Sequence, residues 1–305
     1  MTTALVIQQL LNGFQLGVML FLLAAGLTLV FGIMDLINLA HGSLYMIGAY
    51  LTATFVATFD SFLLALVLAI PLTALIGLIV EMVALRSLYE RDHLDQVLAT
   101  FGLILFFNEL VRIIWGPSPV FMGIPVALSG RVEILPGIEY PAFRLATIIV
   151  GVLVAILLWY LINKTRLGMI IRAGASNREM ITALGVNIRL MYSLVFALGA
   201  GLAALAGVMA GPIYSVQVGM GEQILILTFV VIVIGGIGSI RGAFIGALLV
   251  GLVDTLGRTA LPGLLRITFG EGAEGIGSAL ASMSIYILMA AVLFYRPRGL
   301  FPVKA

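Results

Sequence analysis

The sequence predicts an all-α integral membrane protein with about eight or nine transmembrane segments, some of them broken, arranged as two related halves. Three observations predict it. Hydrophobic residues make up 62% of the 305 positions, charged residues only 10%, and the mean hydropathy is +1.21. Soluble domains carry about 25% charged residues, so lipid is the solvent that suits this composition. The apolar residues also gather into runs near the ~20 residues that cross a hydrocarbon core. Finally, two of these regions are interrupted by glycine and polar residues, near 35–48 and 235–242.

The runs fall at 8–33, 43–59, 61–85, 96–115, 142–162, 192–211, 223–236, 242–257 and 278–295. The fourth is weakened by Asn108, Glu109 and Arg112, of which Glu109 and Arg112 are spaced to pair on one helix face. The seventh and eighth are short. They read as two short spans with a tight turn or as one broken segment, which is tolerated where backbone is buried in protein or lines a cavity. Eight spans of ~20 residues use roughly half of the chain, so residues 1–305 read as one polytopic domain.

Loops set the expected topology. Segment 86–95 carries both signs of charge, and five prolines keep 116–141 from being a continuous helix. Segment 163–190 holds Lys164, Arg166, Arg172, Arg178 and Arg189 against the single acid Glu179, and the tail adds Arg296, Arg298 and Lys304. Positive loops stay in the cytoplasm. With 163–190 and the C-terminus inside, four crossings separate them, 116–141 and 258–277 fall outside and 86–95 inside. The N-terminus is then outside if the first run crosses once. The first basic residue is Arg86, so no cleavable signal is expected. The net charge of +2 and pI of about 9.0 reflect topology, and no nucleic-acid partner is expected. Cysteine is absent and a lone histidine is not a metal site, so no metal is expected.

Three stretches stand out. In INLAHGSLYMIGAY (37–50), Asn38, His41 and Ser43 enter an apolar region ahead of Gly48. Polar groups at membrane depth face a bundle interior or water. A bend lining the solute path and an interfacial turn capping the next helix are both open on spacing alone. In VVIVIGGIGSIRGAFIGALLVG (230–251), the spacing Gly236-x-Gly238-x-x-x-Gly242 is one residue too long for a dinucleotide turn. Gly242, Gly246, Ala247 and Gly251 read as helix packing, and the break at Gly235, Gly236 and Gly238 reads as a second part of the path. In 164–190, Ile170, Ala173, Met180, Ile181 and Leu184 share one helical face, Arg172, Ser176, Glu179 and Ala183 another, and Gly185 is the stop. Such a helix docks into a partner's groove or lies on anionic lipid.

Internal repetition is faint. FGIMDLINLAHGSLYMIGAYL near residue 31 and IGGIGSIRGAFIGALLVGL near 234 share a glycine-rich break followed by a small-residue helix, a pattern of two related halves around a path. Catalytic motifs such as HExxH, GxSxG and GxxxxGK[ST] are absent. The acids Asp35, Glu81, Glu222 and Asp254 suit a proton relay, but nothing pairs them.

GLTLVFGIMDLINLAHGSLYMIGAY (26–50) closely resembles the N-terminal signature of the LivH-type permeases of branched-chain amino acid ABC importers. RAGASNREMITALGVNI (172–188) is similar to that family's ATPase-coupling loop, and GGIGSIRGAFIGALLVG (235–251) and RPRGLF (296–301) are similar to its later motifs. The likeness runs in order along nearly the whole chain. It departs from the pattern of other ABC permeases in lacking a Glu-Ala-Ala triplet. It implies coupling residues among Arg172, Ala175, Glu179, Ala183 and Gly185. It implies a second homologous permease, two cytoplasmic ATPases carrying ATP and Mg, and a periplasmic solute-binding protein, in a bacterial inner membrane. No cofactor on this chain is implied. Alternating access would import branched-chain amino acids, though related systems are associated with amides, urea or aromatic acids. The competing readings are an ion-coupled carrier working alone on its buried acids and an intramembrane enzyme, which lacks any motif.

Overall fold

All nine apolar runs are helices in the computed structural model, which describes residues 3–270 and 274–302. The order is α1 (Thr3–Met34), α2 (His41–Phe59), α3 (Phe62–Val83), α4 (His93–Trp115), α5 (Ala142–Lys164), two short helices α6 (Arg166–Ser176) and α7 (Arg178–Ala183), then α8 (Ile188–Ala210), α9 (Met220–Gly235), α10 (Ile240–Phe269) and α11 (Glu274–Tyr295). Among the described residues, eight helices are long and apolar enough to cross a membrane. The 16-residue α9 is shorter, about 24 Å at 1.5 Å per residue. A small antiparallel hairpin, β1 (Arg131–Leu135) and β2 (Ile138–Pro141), fills part of the proline-rich connection, with Gly137 at φ +79° in its turn.

Burial sorts the helices. α1, α2 and α8 form the centre, whereas α3, α4, α5 and α11 keep most of their apolar surface outward, as lipid-facing helices do. Small residues bring the central backbones together. A Cβ on Gly26 would stand 2.8 Å from the Gly199 carbonyl oxygen, and one on Gly17 2.8 Å from that of Ala247.

The packing repeats. α1 packs on α10 as α8 packs on α3, α2 on α3 as α9 on α10, α2 on α8 as α9 on α1, and α2 on α4 as α9 on α11. Exchanging α1–α4 with α8–α11 therefore maps these pairings onto one another, although the close packing of α10 on α11 has no comparable α3–α4 counterpart. The expected halves are present, in a different register from the sequence match. The α1–α2 break (35–40) corresponds to the 211–219 connection, not to the α9–α10 turn. The two glycine-rich stretches share composition, but Gly236 and Gly238 at φ +103° and +81° make a tight turn between antiparallel helices.

Contacts link several segments at one end of the bundle. Gly32 abuts Gly238, the Ile37 amide donates to Gln96 Oε1, Gln96 Nε2 donates to the Leu88 and Arg91 carbonyls, and Arg86 donates to Ser193 at the start of α8. The tail joins here too, as the Leu300 and Phe301 amides donate to the Ile234 and Gly235 carbonyls at the end of α9. At the other end, Val120 and Val216 exchange backbone hydrogen bonds, and Tyr140 donates to Asn12.

The expected external loop 258–277 is instead helical as far as Phe269. Arg258 pairs with Asp254 one turn earlier, and Pro262 is accommodated inside the helix.

Candidate functional site

The α1–α2 break crosses the bundle. Asp35 takes a left-handed conformation (φ +53°) and stops α1, and Ala40 precedes α2 without a side-chain cap. Ile37 is tied to Gln96 near the start of α4, while Tyr50 stacks on Trp115 at the far end of that helix, 5.1 Å between centroids. Residues 37–50 therefore climb nearly the full length of α4, about 28 Å. Asn38 and His41 are 0% exposed and Ser43 is 3% exposed, so their side chains meet protein and not lipid headgroups. The Asn38 amide has no hydrogen-bond partner, and the His41 ring meets only the Leu23 backbone. The His41 ring lies against Gly26, where a Cβ would be 2.9 Å from Nε2. Gly48 serves packing, with Ala204 Cα 2.7 Å from the place of a Cβ.

Tyr45, one turn into α2, reaches a cavity of about 820 Å³ that the sequence reading did not find. α1, α2, α5, the 211–219 connection, α9 and α10 all contribute to it. Its charges are Arg144, Asp254 and Arg258. Asp254 is 7% exposed and accepts from Arg258 Nε on both oxygens, at 2.9 and 3.0 Å. Arg144 donates to Asn12 at 2.7 Å. Tyr214 turns one side of its ring to the cavity. Burial of the rest pushes its phenol above the ordinary range, the Arg144 guanidinium opposes this and the Asp254 carboxylate adds to it. A second cavity of about 500 Å³ continues outward past Arg144 to Arg131, Glu139 and Tyr140. The residues are far apart in sequence, so only Asp254, an acid in an apolar run, gave any sign of the site.

The buried acids do not form a relay. Glu81 accepts from Arg86, Ser193 and Tyr89, Glu222 accepts from Asn108, Asp254 faces Arg258, and Asp35 is exposed. No group of three metal-ligating side chains occurs among the described residues.

Gly235, Gly236 and Gly238 sit at the bundle end that carries the tail, away from the cavity. Cβ atoms on Gly235 and Gly236 would meet the Gly242 carbonyl oxygen at 2.3 Å and the Phe301 carbonyl oxygen at 3.0 Å. Gly238 is half-buried beside Gly32.

The polar segment 163–190 is two helices, because Asn177 caps α7 by accepting from the Met180 amide and breaks the expected continuous faces. α6 buries Gly168, Ile171 and Gly174 against the end of α5 and Met191 of α8. Met180 and Leu184, expected on one face with Ile181, point outward while Ile181 is buried. Arg172, Ala175, Ala183 and Gly185 are exposed, and the Glu179 side chain lies outside the described residues, as does Lys304. Arg172 donates to the Ile162 carbonyl. Gly185, at φ +85°, ends α7 as expected. Its amide donates to the Thr182 carbonyl and that of Val186 to Ile181, the paired bonds of a glycine-terminated helix.

Comparison with known proteins supplies the context. Residues 9–293 match the family described as branched-chain amino acid transport system / permease component. The chain is 32% identical to the high-affinity branched-chain amino acid transport system permease protein BraD of Pseudomonas aeruginosa, over 96% of this chain and 95% of that one. It is 32% identical to LivH, of the same description, from Escherichia coli K12, over 82% and 85%. To the probable branched-chain amino acid transport permease LivH of Methanocaldococcus jannaschii it is 27% identical, over 92% and 88%. No solved structure matches the chain. A multi-pass helical bundle with a polar cavity, aligned with these permeases over nearly all of its length, belongs to the branched-chain amino acid transport permease family.

Proposed function

We propose that this chain is the permease subunit of an ATP-driven importer that carries branched-chain amino acids across a bacterial inner membrane by alternating access. One observation carries the reading. A polar cavity lies at one end of the bundle, and two short helices with exposed basic and apolar residues lie at the other, in a permease of this family without a nucleotide-hydrolysing motif of its own. The basic loops 163–190 and 296–298 favour a cytoplasmic location for the second end and for the C-terminus. The cavity then opens outward, towards a periplasmic solute-binding protein.

Residues 1–305 act as one permease domain. Segment 163–190 is its coupling loop, with Arg172, Ala175, Glu179, Ala183 and Gly185 meeting one of two ATPases that hold ATP and Mg. A second homologous permease completes the membrane assembly. α6 rests on both α5 and α8, so a push on it reaches the central helices. The path starts at the cavity beside Tyr45 and Gly48, descends past Ser43, His41 and Asn38, and leaves near Gly235, Gly236 and Gly238. The orphaned amide of Asn38 and the poorly satisfied ring of His41 favour this route, because buried groups without full partners are costly unless another state satisfies them.

Reconstitution tests the reading. Proteoliposomes holding the chain, its co-encoded permease, ATPases and binding protein should accumulate leucine only with ATP inside. Robust uptake by the chain alone under an ion gradient would overturn it.

A further inference from the structure

The 820 Å³ cavity is within the ~300–1,000 Å³ of small-molecule sites. Its lining is chemically mixed. Leu16, Met19, Ile224 and Leu227 supply apolar surface, and Asp254 and Arg144 bring opposite charges to the same space. Asp254, Arg144 and Tyr214 all line this one cavity. Arg258 keeps the largely buried Asp254 paired when the cavity is empty, and Arg144 is held in place by Asn12.

We infer that this cavity is a zwitterion-reading site in which Asp254 receives an ammonium, Arg144 a carboxylate and the Leu16–Leu227 wall a branched hydrocarbon chain. The substrate class rests on the importer reading above, and the charge arrangement stands independently of it. A simple anion would face a buried carboxylate, a simple cation two guanidinium groups, and an uncharged solute would gain nothing from either charge. A ligand with an ammonium and a carboxylate on one carbon answers each, and its apolar side chain answers the apolar lining. Asp254 has lone pairs left after bonding Arg258, and a guanidinium offers a planar fork to a carboxylate. The site must also release its ligand inward, so weak, millimolar-order binding is expected.

The test uses the full chain in lipid nanodiscs and equilibrium binding of three probes: L-leucine, 4-methylpentanoate (leucine without its ammonium) and 3-methylbutylamine (leucine without its carboxylate). Leucine should saturate the site and bind more tightly than either analogue. Asp254→Asn and Arg144→Gln should each weaken leucine by about tenfold or more. Asp254→Asn should tighten 4-methylpentanoate, which then meets no carboxylate, and Arg144→Gln should tighten 3-methylbutylamine, which then meets one guanidinium fewer. Leu227→Trp fills the wall without touching a charge and should weaken all three. Absence of saturable leucine binding, analogues as tight as leucine, or leucine binding that survives Leu227→Trp would each overturn the proposal. ATP-driven uptake by the assembled complex separates the two readings. Uptake without cavity binding removes this site and leaves the importer, whereas binding without uptake does the reverse.

Discussion

Gly42 of α2 and Gly221 of α9 meet backbone to backbone: a Cβ on Gly42 would stand 2.3 Å from the Gly221 carbonyl oxygen, and one on Gly221 2.4 Å from that of Gly42. Both neighbours are backbone and cannot turn aside. Gly42→Ala should lower stability by about 1–3 kcal/mol through overpacking. Gly102→Ala, in α4 with nothing within 4 Å, is the control and should be neutral or slightly stabilising. Thermal unfolding of the two variants in detergent checks this, and equal transitions would refute the tight crossing.

His41→Leu should separate stability from activity. The ring is fully buried and meets at most the Leu23 backbone, so leucine relieves the penalty of a largely unsatisfied buried polar group, about 1 kcal/mol. The variant should melt at the same or a higher temperature while leucine uptake falls. Wild-type uptake kinetics would reduce His41 to packing.

Arg86→Met should weaken the junction of α3 and α8. Glu81 is 0% exposed and accepts from Arg86, Ser193 and Tyr89. Loss of the cation leaves a buried carboxylate with neutral donors only, at a cost of about 1–3 kcal/mol. Adding Glu81→Gln should recover part of that loss. A double variant no more stable than Arg86→Met would show that the pair is not coupled.

Gly185→Trp should insert normally and lose transport. A side chain at φ +85° is strained by about 1–2 kcal/mol and would stand on the exposed end of α7. Gly185→Asn tolerates the conformation and should keep most activity. The measurements are membrane abundance and ATP-driven uptake, and normal uptake by the Trp variant would remove Gly185 from the coupling surface.

Hydropathy located every long helix because lipid imposes a simple rule of length and composition, as α3 and α5 illustrate. It failed where a local hydrogen bond decided the outcome. Asn177, a good N-cap, split the amphipathic segment, and the Asp254–Arg258 pair carried α10 past the point where polarity suggested a loop. The bend at Asn38 and His41 was legible as an oddity, although its burial needed the surrounding helices. The cavity was not legible, since Asn12, Arg144, Tyr214 and Asp254 become neighbours only through packing. The four acids looked alike in sequence and differ in kind once Glu81, Glu222 and Asp254 are seen with separate partners.

The tail's attachment to α9 has a bearing on biogenesis. The Ile234 and Gly235 carbonyls, left open by the end of their helix, are closed by amides of Leu300 and Phe301, and Gly299 fits where a Cβ would lie 2.5 Å from Gly236 Cα. These residues leave the ribosome after every helix of the bundle. The turn between α9 and α10 is therefore finished only after α11 has been made, and a chain stopped before residue 296 carries every span yet presents an unfinished helix end to quality-control proteases.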